Sequence, residues 1–120
     1  MKSVFFVSSR KFYYQVEKLL ELFRKKGIKA TTSGKWVETE KDTLTNQKSA
    51  LLKSFKRIDQ VDLVYVFSEG GYVGRTVCME IAYAYSKNKE LVSSYEIEEL
   101  SARALISKIM SPEDLIEYCQ

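Results

Sequence analysis

The sequence predicts a three-layer α/β/α sandwich around a parallel sheet of four or five strands. Three observations predict it. Residues 4–7 form an apolar run that leads through a helical pattern into a second short apolar segment, the βαβ opening of a Rossmann-like (flavodoxin-like) sheet. Residues 63–67, LVYVF, are continuously apolar, as in a strand covered on both faces. That run ends in a glycine-rich turn, SEGGYVG, from which another helical pattern starts.

Each element follows in order. Residues 4–7 are the first strand, and Ser8, Ser9 and Arg10 form the turn at its carboxyl end. Phe12, Val16, Leu19, Leu20 and Phe23 recur at helical spacing, which predicts an amphipathic helix over 11–26 closed by Gly27. Residues 28–31 are a short second strand. Residues 32–43 are polar and irregular around Trp36, and whether 32–40 add a strand is open. Leu44, Leu51, Leu52, Phe55 and Ile58 mark a second helix ending near residue 58. Asp62 opens the next strand. Thr76 is the expected N-cap of a helix carrying Val77, Ile81, Ala84 and Tyr85 to about residue 86. Residues 90–93 are the fourth strand. A further helix is expected from Ser94 or Tyr95, with Ile97, Leu100, Ala104, Leu105 and Met110 on it. Ser111, Pro112, Glu113 and Asp114 are a helix start: a capping serine, proline at the first position, then two acids.

Length and composition narrow the function classes. A chain of 120 residues implies one domain, residues 1–120, and 45% hydrophobic content supports a packed core. No apolar run approaches the ~20 residues that span a bilayer, and the apolar start is too short for a signal peptide. Cys78 and Cys119 are isolated, which points to a reducing, cytoplasmic setting. The absence of histidine removes the commonest general base and metal ligand, and with them zinc hydrolase and Ser-His-Asp chemistry. The net charge of +3 is split, with +8 on residues 1–60 and −5 on 61–120. The basic half either marks an anionic partner or is a set of solvated helix faces, and no nucleic-acid-binding motif accompanies it.

Two stretches carry candidate chemistry. In the glycine turn, Gly70, Gly71 and Gly74 permit positive φ and close approach of a ligand to the backbone. The following helix start, with Arg75 and Thr76, offers free N–H groups to an anion. Tyr72 within the turn either flanks a ligand or is a surface tyrosine. Glu80, flanked by Cys78, Met79, Ile81 and Ala82, is either an ordinary solvated helix glutamate or a carboxylate aimed back at the turn. The second stretch is Ser8, Ser9 and Arg10, two hydroxyls and a guanidinium beside a helix start. It can bind a phosphate, or a serine simply caps the helix. Trp36 either stacks on a base or packs on the domain.

The segment GGYVGRTVCMEIAYAYSKNKELV resembles the signature of the nucleoside 2-deoxyribosyltransferase-like superfamily, which includes the deoxynucleoside 5′-monophosphate N-glycosidases. The matching parts are Asp62 opening a strand, the turn from Gly70 to Gly74, Glu80-Ile81-Ala82-Tyr83-Ala84, Asn88-Lys89 and Leu91-Val92. The likeness extends over about residues 1–94 and is specific around Glu80. It implies that Glu80 is the nucleophile at the anomeric carbon, with no metal or coenzyme. It also implies a nucleoside or nucleotide substrate and a homodimer or larger homo-oligomer. Phosphate-handling members carry serine and arginine in the turn after the first strand, as Ser8, Ser9 and Arg10 stand here. Three positions depart from the pattern. Ser54 stands for a second carboxylate, Gly74 for an acid in the turn, and Phe5 for a tyrosine on the first strand. Leaving-base protonation then has no clear donor beyond Glu69. The resemblance therefore supports either N-glycosidic cleavage, by hydrolysis or base exchange, or a nucleotide-binding or sensing module that has lost turnover.

Overall fold

A computed structural model describes residues 1–33 and 42–120. In chain order the strands are β1 (Val4–Val7), β2 (Ala30–Thr32), β3 (Leu63–Val66), β4 (Glu90–Ser93) and β5 (Lys108–Ile109). The helices are α1 (Tyr13–Lys25), α2 (Leu44–Asp59), α3 (Arg75–Ser86), α4 (Leu100–Arg103) and α5 (Pro112–Cys119). A 3-10 turn, Arg10–Phe12, leads into α1. All pairings are parallel, and the sheet order is β2-β1-β3-β4-β5.

The alternation of side chains along each strand builds two cores, one on each face of the sheet. Val4, Phe6, Leu63 and Tyr65 face α1 and α5, where they meet Val16, Leu20, Phe23, Leu115 and Ile116. Phe5, Val7, Val64 and Val66 face α2, α3 and α4, where they meet Ile58, Val77, Ile81, Ala84 and Ala102. Every residue of β1 and β3 is buried, which is why these strands read as unbroken apolar runs. Tyr65 remains in this core because its hydroxyl donates to the Met110 carbonyl at 2.8 Å. At the amino ends of the strands, the Ser3 N–H and hydroxyl both donate to Asp62 Oδ2 at 2.9 and 3.0 Å. The Asp62 N–H returns a bond to Ser3 Oγ. These bonds register β1 against β3.

The structure corrects the expected boundaries at three places. Gly74, not Thr76, is the N-cap of α3, so Thr76 is the second helical residue and Glu80 moves from the first turn into the second. The helix expected from Ser94 or Tyr95 is reduced to the four residues of α4. The chain instead descends to pair as β5, where the Ser107 N–H donates to the Leu91 carbonyl and the Met110 N–H to that of Ser93. Pairing with the open edge of β4 thus overrides the apolar spacing of Leu105 and Met110. The second strand begins at Ala30 rather than Ile28, because the Ile28 N–H still bonds the Phe23 carbonyl in the closing turn of α1. The fifth strand is contributed by β5, while the question of an extra strand over 32–40 falls largely on residues 34–41, outside the described residues. Ser111 caps α5 as expected, its hydroxyl accepting from the Asp114 N–H at 3.2 Å.

Candidate active site

Strand order 2-1-3-4 brings the turns after β1, β3 and β4 together at the carboxyl rim of the sheet, where ligands of open α/β folds bind. The turn after β3 is held from two sides. The Ser68 N–H donates to Ser94 Oγ, and the Ser94 hydroxyl donates to the Ser68 carbonyl, each at 2.8 Å. The Ser68 hydroxyl reaches forward to the Tyr72 carbonyl at 2.8 Å, folding the turn back on itself.

The glycines divide by role. Gly70 and Gly71 have φ of +73° and +90°. At Gly71 a Cβ would stand 2.4 Å from the Glu96 carbonyl oxygen, and the Gly71 carbonyl accepts from the Glu98 N–H at 3.0 Å. The close approach at Gly71 is therefore made by the chain after β4, not by a ligand. Gly74 has an ordinary φ of −83°, so positive φ is not its purpose, and the space around it is open.

α3 starts at this rim without a side-chain cap bond and without an acid in its first turn. Its amino end therefore keeps uncompensated positive potential beside Arg75 and Thr76. Glu80 lies one turn further on. Its side chain is 5% exposed, and helix geometry tilts it toward the amino end of α3. Burial raises its pKa to about 7, and a hydrogen bond from Ser54 on α2 opposes that rise. Ser54 is itself 3% exposed. The position that carries an acid in the resembled superfamily thus places a neutral hydroxyl against the glutamate.

Phe5 is fully buried in the core on the α2–α3 face, and it brings no hydroxyl to Glu80. Glu69 is exposed in the turn. Ser9 precedes the 3-10 turn but makes no side-chain cap bond, and the Ser8 hydroxyl donates to the Ser9 carbonyl at 3.2 Å. Arg10 forms an exposed ion pair with Asp42 at 3.3 Å. Trp36 lies outside the described residues. Tyr72 is 43% exposed, and Lys11 Nζ stands 3.8 Å from the centre of its ring. This cation–π contact ties the turn after β1 to the turn after β3. Lys11 was not singled out from the sequence. Its signal was its position directly after Arg10 in a turn that the 2-1-3-4 order sets beside Tyr72.

Two cavities lie elsewhere. One, of about 390 Å³, runs along β2 and includes Arg24, Lys29 and Arg57. The other, of about 290 Å³, is beside β5 and includes Ser93, Arg103 and Lys108. Neither is lined by Glu80.

No protein-family model matches the chain, and no characterised protein matches it by sequence. Solved structures do match over nearly the whole chain. A conserved protein from Enterococcus faecalis V583 superposes with a TM-score of 0.69 at 18% identity, covering 98% of this chain and 96% of its own. A 2-deoxyribosyltransferase from the psychrotolerant bacterium Bacillus psychrosaccharolyticus gives a TM-score of 0.67 at 16% identity, covering 97% and 91%. The CMP N-glycosidase BcmB of Clostridium botulinum gives 0.57 at 14% identity, covering 98% and 97%. The chain accordingly shares the five-stranded parallel sandwich fold of these solved structures.

Proposed function

We propose that the chain cleaves the N-glycosidic bond of a nucleoside or nucleoside 5′-monophosphate, by hydrolysis or base exchange, with Glu80 as nucleophile. The observation that carries this reading is the placement of Glu80: a buried carboxylate near the uncapped start of α3, titrating at about 7, with a serine hydroxyl as its partner. Two structural neighbours, a 2-deoxyribosyltransferase and a CMP N-glycosidase, support the reaction class.

In this reading ionised Glu80 attacks C1′ as the bond to the base breaks. The bonding pair leaves on the base nitrogen, and a glycosyl ester forms on the carboxylate. Water or an incoming base then attacks C1′ and frees Glu80. Departure of the base develops positive charge on the sugar, which the carboxylate offsets. The N–H groups opening α3, with Arg75 and Thr76, hold the sugar hydroxyls or 5′-phosphate. Ser8, Ser9 and Arg10 bind from the neighbouring turn, and Gly70, Gly71, Tyr72 and Gly74 shape the floor. Trp36 is assigned to the base. Exposed Leu52 on α2 and Met79 and Tyr85 on α3 supply apolar surface for assembly of identical chains.

A second reading is favoured by one observation. Glu80 is only 5% exposed, as expected of a nucleotide-binding module that no longer turns over. A free-base release assay on a panel of deoxynucleosides, deoxynucleoside monophosphates and ribonucleotides separates the two. Release by the wild type that is lost in Glu80→Ala supports the enzyme, and product with an added acceptor base makes it a transferase. A nucleotide that raises the melting temperature but stays intact supports the binding module.

A further inference from the structure

Among the described residues no strand pairs with the outer edge of β2, and side chains cover it. The Lys29 carbonyl accepts from the Val4 N–H, so alternation turns the carbonyls of Ala30 and Thr32 away from β1. An arginine meets each of them. From α1, Arg24 donates through Nε and Nη2 to the Ala30 oxygen at 3.2 and 3.1 Å. From α2, on the other face of the sheet, Arg57 donates to the Thr32 oxygen. Two guanidinium groups therefore reach the same edge from opposite layers. They block pairing with another strand, a hazard of exposed sheet edges.

The same arrangement encloses the cavity of about 390 Å³, lined by Arg24, Lys29, Thr31, Thr32, Arg57 and Gln60 among others. No acid lines it. Arg24, Lys29 and Arg57 make no ion pair among the described residues, in contrast to Lys2, Arg10, Arg103 and Lys108. The nearby Asp62 carboxylate is engaged by Ser3 instead. Each guanidinium retains N–H donors beyond those it gives to the carbonyls. Three cations that form no ion pair among the described residues, set around a concavity of ligand size, exceed what edge protection requires.

We propose that this groove binds a small polyphosphate-bearing anion through Arg24, Lys29 and Arg57, with threonine hydroxyls and Gln60 beside it. Two or three negative charges match the three cations, and the arginines suit phosphate oxygens geometrically. A concave pocket of this volume favours a small ligand over a nucleic-acid backbone, which follows an extended basic surface. The groove shares no residue with the Glu80 site and stands independently of what Glu80 does.

The test is calorimetric titration of the full chain with inorganic pyrophosphate, inorganic phosphate and a mixed-sequence duplex oligonucleotide. Pyrophosphate is expected to saturate one site and to bind about tenfold more tightly than phosphate. Lys29→Glu should weaken it by about tenfold or more. Lys25→Glu, an equal charge change outside the groove, should alter it by less than about twofold. Lys29 is exposed and its side chain makes no hydrogen bond among the described residues, so the fold should survive, which an unchanged melting temperature verifies. Lys29→Gln gives the same reading if charge reversal disturbs the fold. Absence of saturable binding overturns the proposal, as does equal loss in Lys25→Glu. Tighter, Lys29-dependent binding of the oligonucleotide overturns it in favour of a nucleic-acid site.

Discussion

Glu80 of α3 and Ser54 of α2 face one another across the interface of the two helices, and the serine hydroxyl is what opposes the rise in the buried glutamate's pKa. A carboxylate with so little compensation is costly to ionise, yet the nucleophilic role proposed for it requires the ionised form. Much of the protein's expected behaviour follows from that conflict.

Replacing Glu80 by Gln keeps the shape of the side chain and removes the carboxylate proposed as nucleophile. Base release should fall by about a thousandfold or more, with nucleotide binding retained. A base-release assay beside a thermal-shift titration separates the two quantities.

Stability should change with pH in a direction opposite to that of an ordinary surface carboxylate. Folding raises the Glu80 pKa from 4.5 to about 7, so the folded state holds more protons than the unfolded state between those values. Stability is therefore full below about pH 4.5 and declines as pH rises through 7, by up to about 3 kcal/mol. Glu80→Gln should abolish this decline and be more stable than the wild type at pH 8. Urea unfolding of both proteins at pH 5 and pH 8 measures the difference directly.

Removing the serine hydroxyl should move the pH profile of the proposed base-release activity. In Ser54→Ala the bond that lowers the Glu80 pKa is lost, so the acidic limb of the rate profile should shift to higher pH. Activity at pH 6 should drop while the plateau at high pH is largely kept. A plateau that falls as much as the limb would assign Ser54 a role other than tuning the carboxylate.

The two ends of the glycine turn should respond differently to alanine. Gly71→Ala meets both a φ of +90° and a carbonyl 2.4 Å away, and should cost about 2–4 kcal/mol. Gly74→Ala has an ordinary φ and open surroundings, and should cost less than about 1 kcal/mol as a poorer N-cap. Denaturant midpoints of the two variants test the contrast.

The fold was legible because burial on both faces leaves an unmistakable record in β1 and β3, where all eight residues are buried. The tail of the chain was not. Leu100, Ala104 and Leu105 carry helical spacing, but the unpaired edge of β4 captured the residues that follow, a tertiary competition that no local pattern announces. At the site, Glu80 stood out in an apolar helix, but that position alone did not separate a solvated glutamate from one aimed at the turn, and its burial is what the structure adds. The N-cap was misplaced because Thr76 is the better capping residue by chemistry, whereas the geometry of the turn starts the helix at Gly74 instead. Lys11 and the arginine pair on β2 were invisible because each acts on a partner that only the assembled sheet brings near.

The Lys2 N–H donates to the Cys119 carbonyl at 3.0 Å, so residues near the two ends of the sequence meet on the same rim as the Asp62–Ser3 bonds. That rim is at the far end of the sheet from the glycine turn. A surface tether or fused reporter attached at either terminus would stand away from the glycine turn and the start of α3. The two ends are also close enough to be spliced by a short linker, so the chain lends itself to circular permutation.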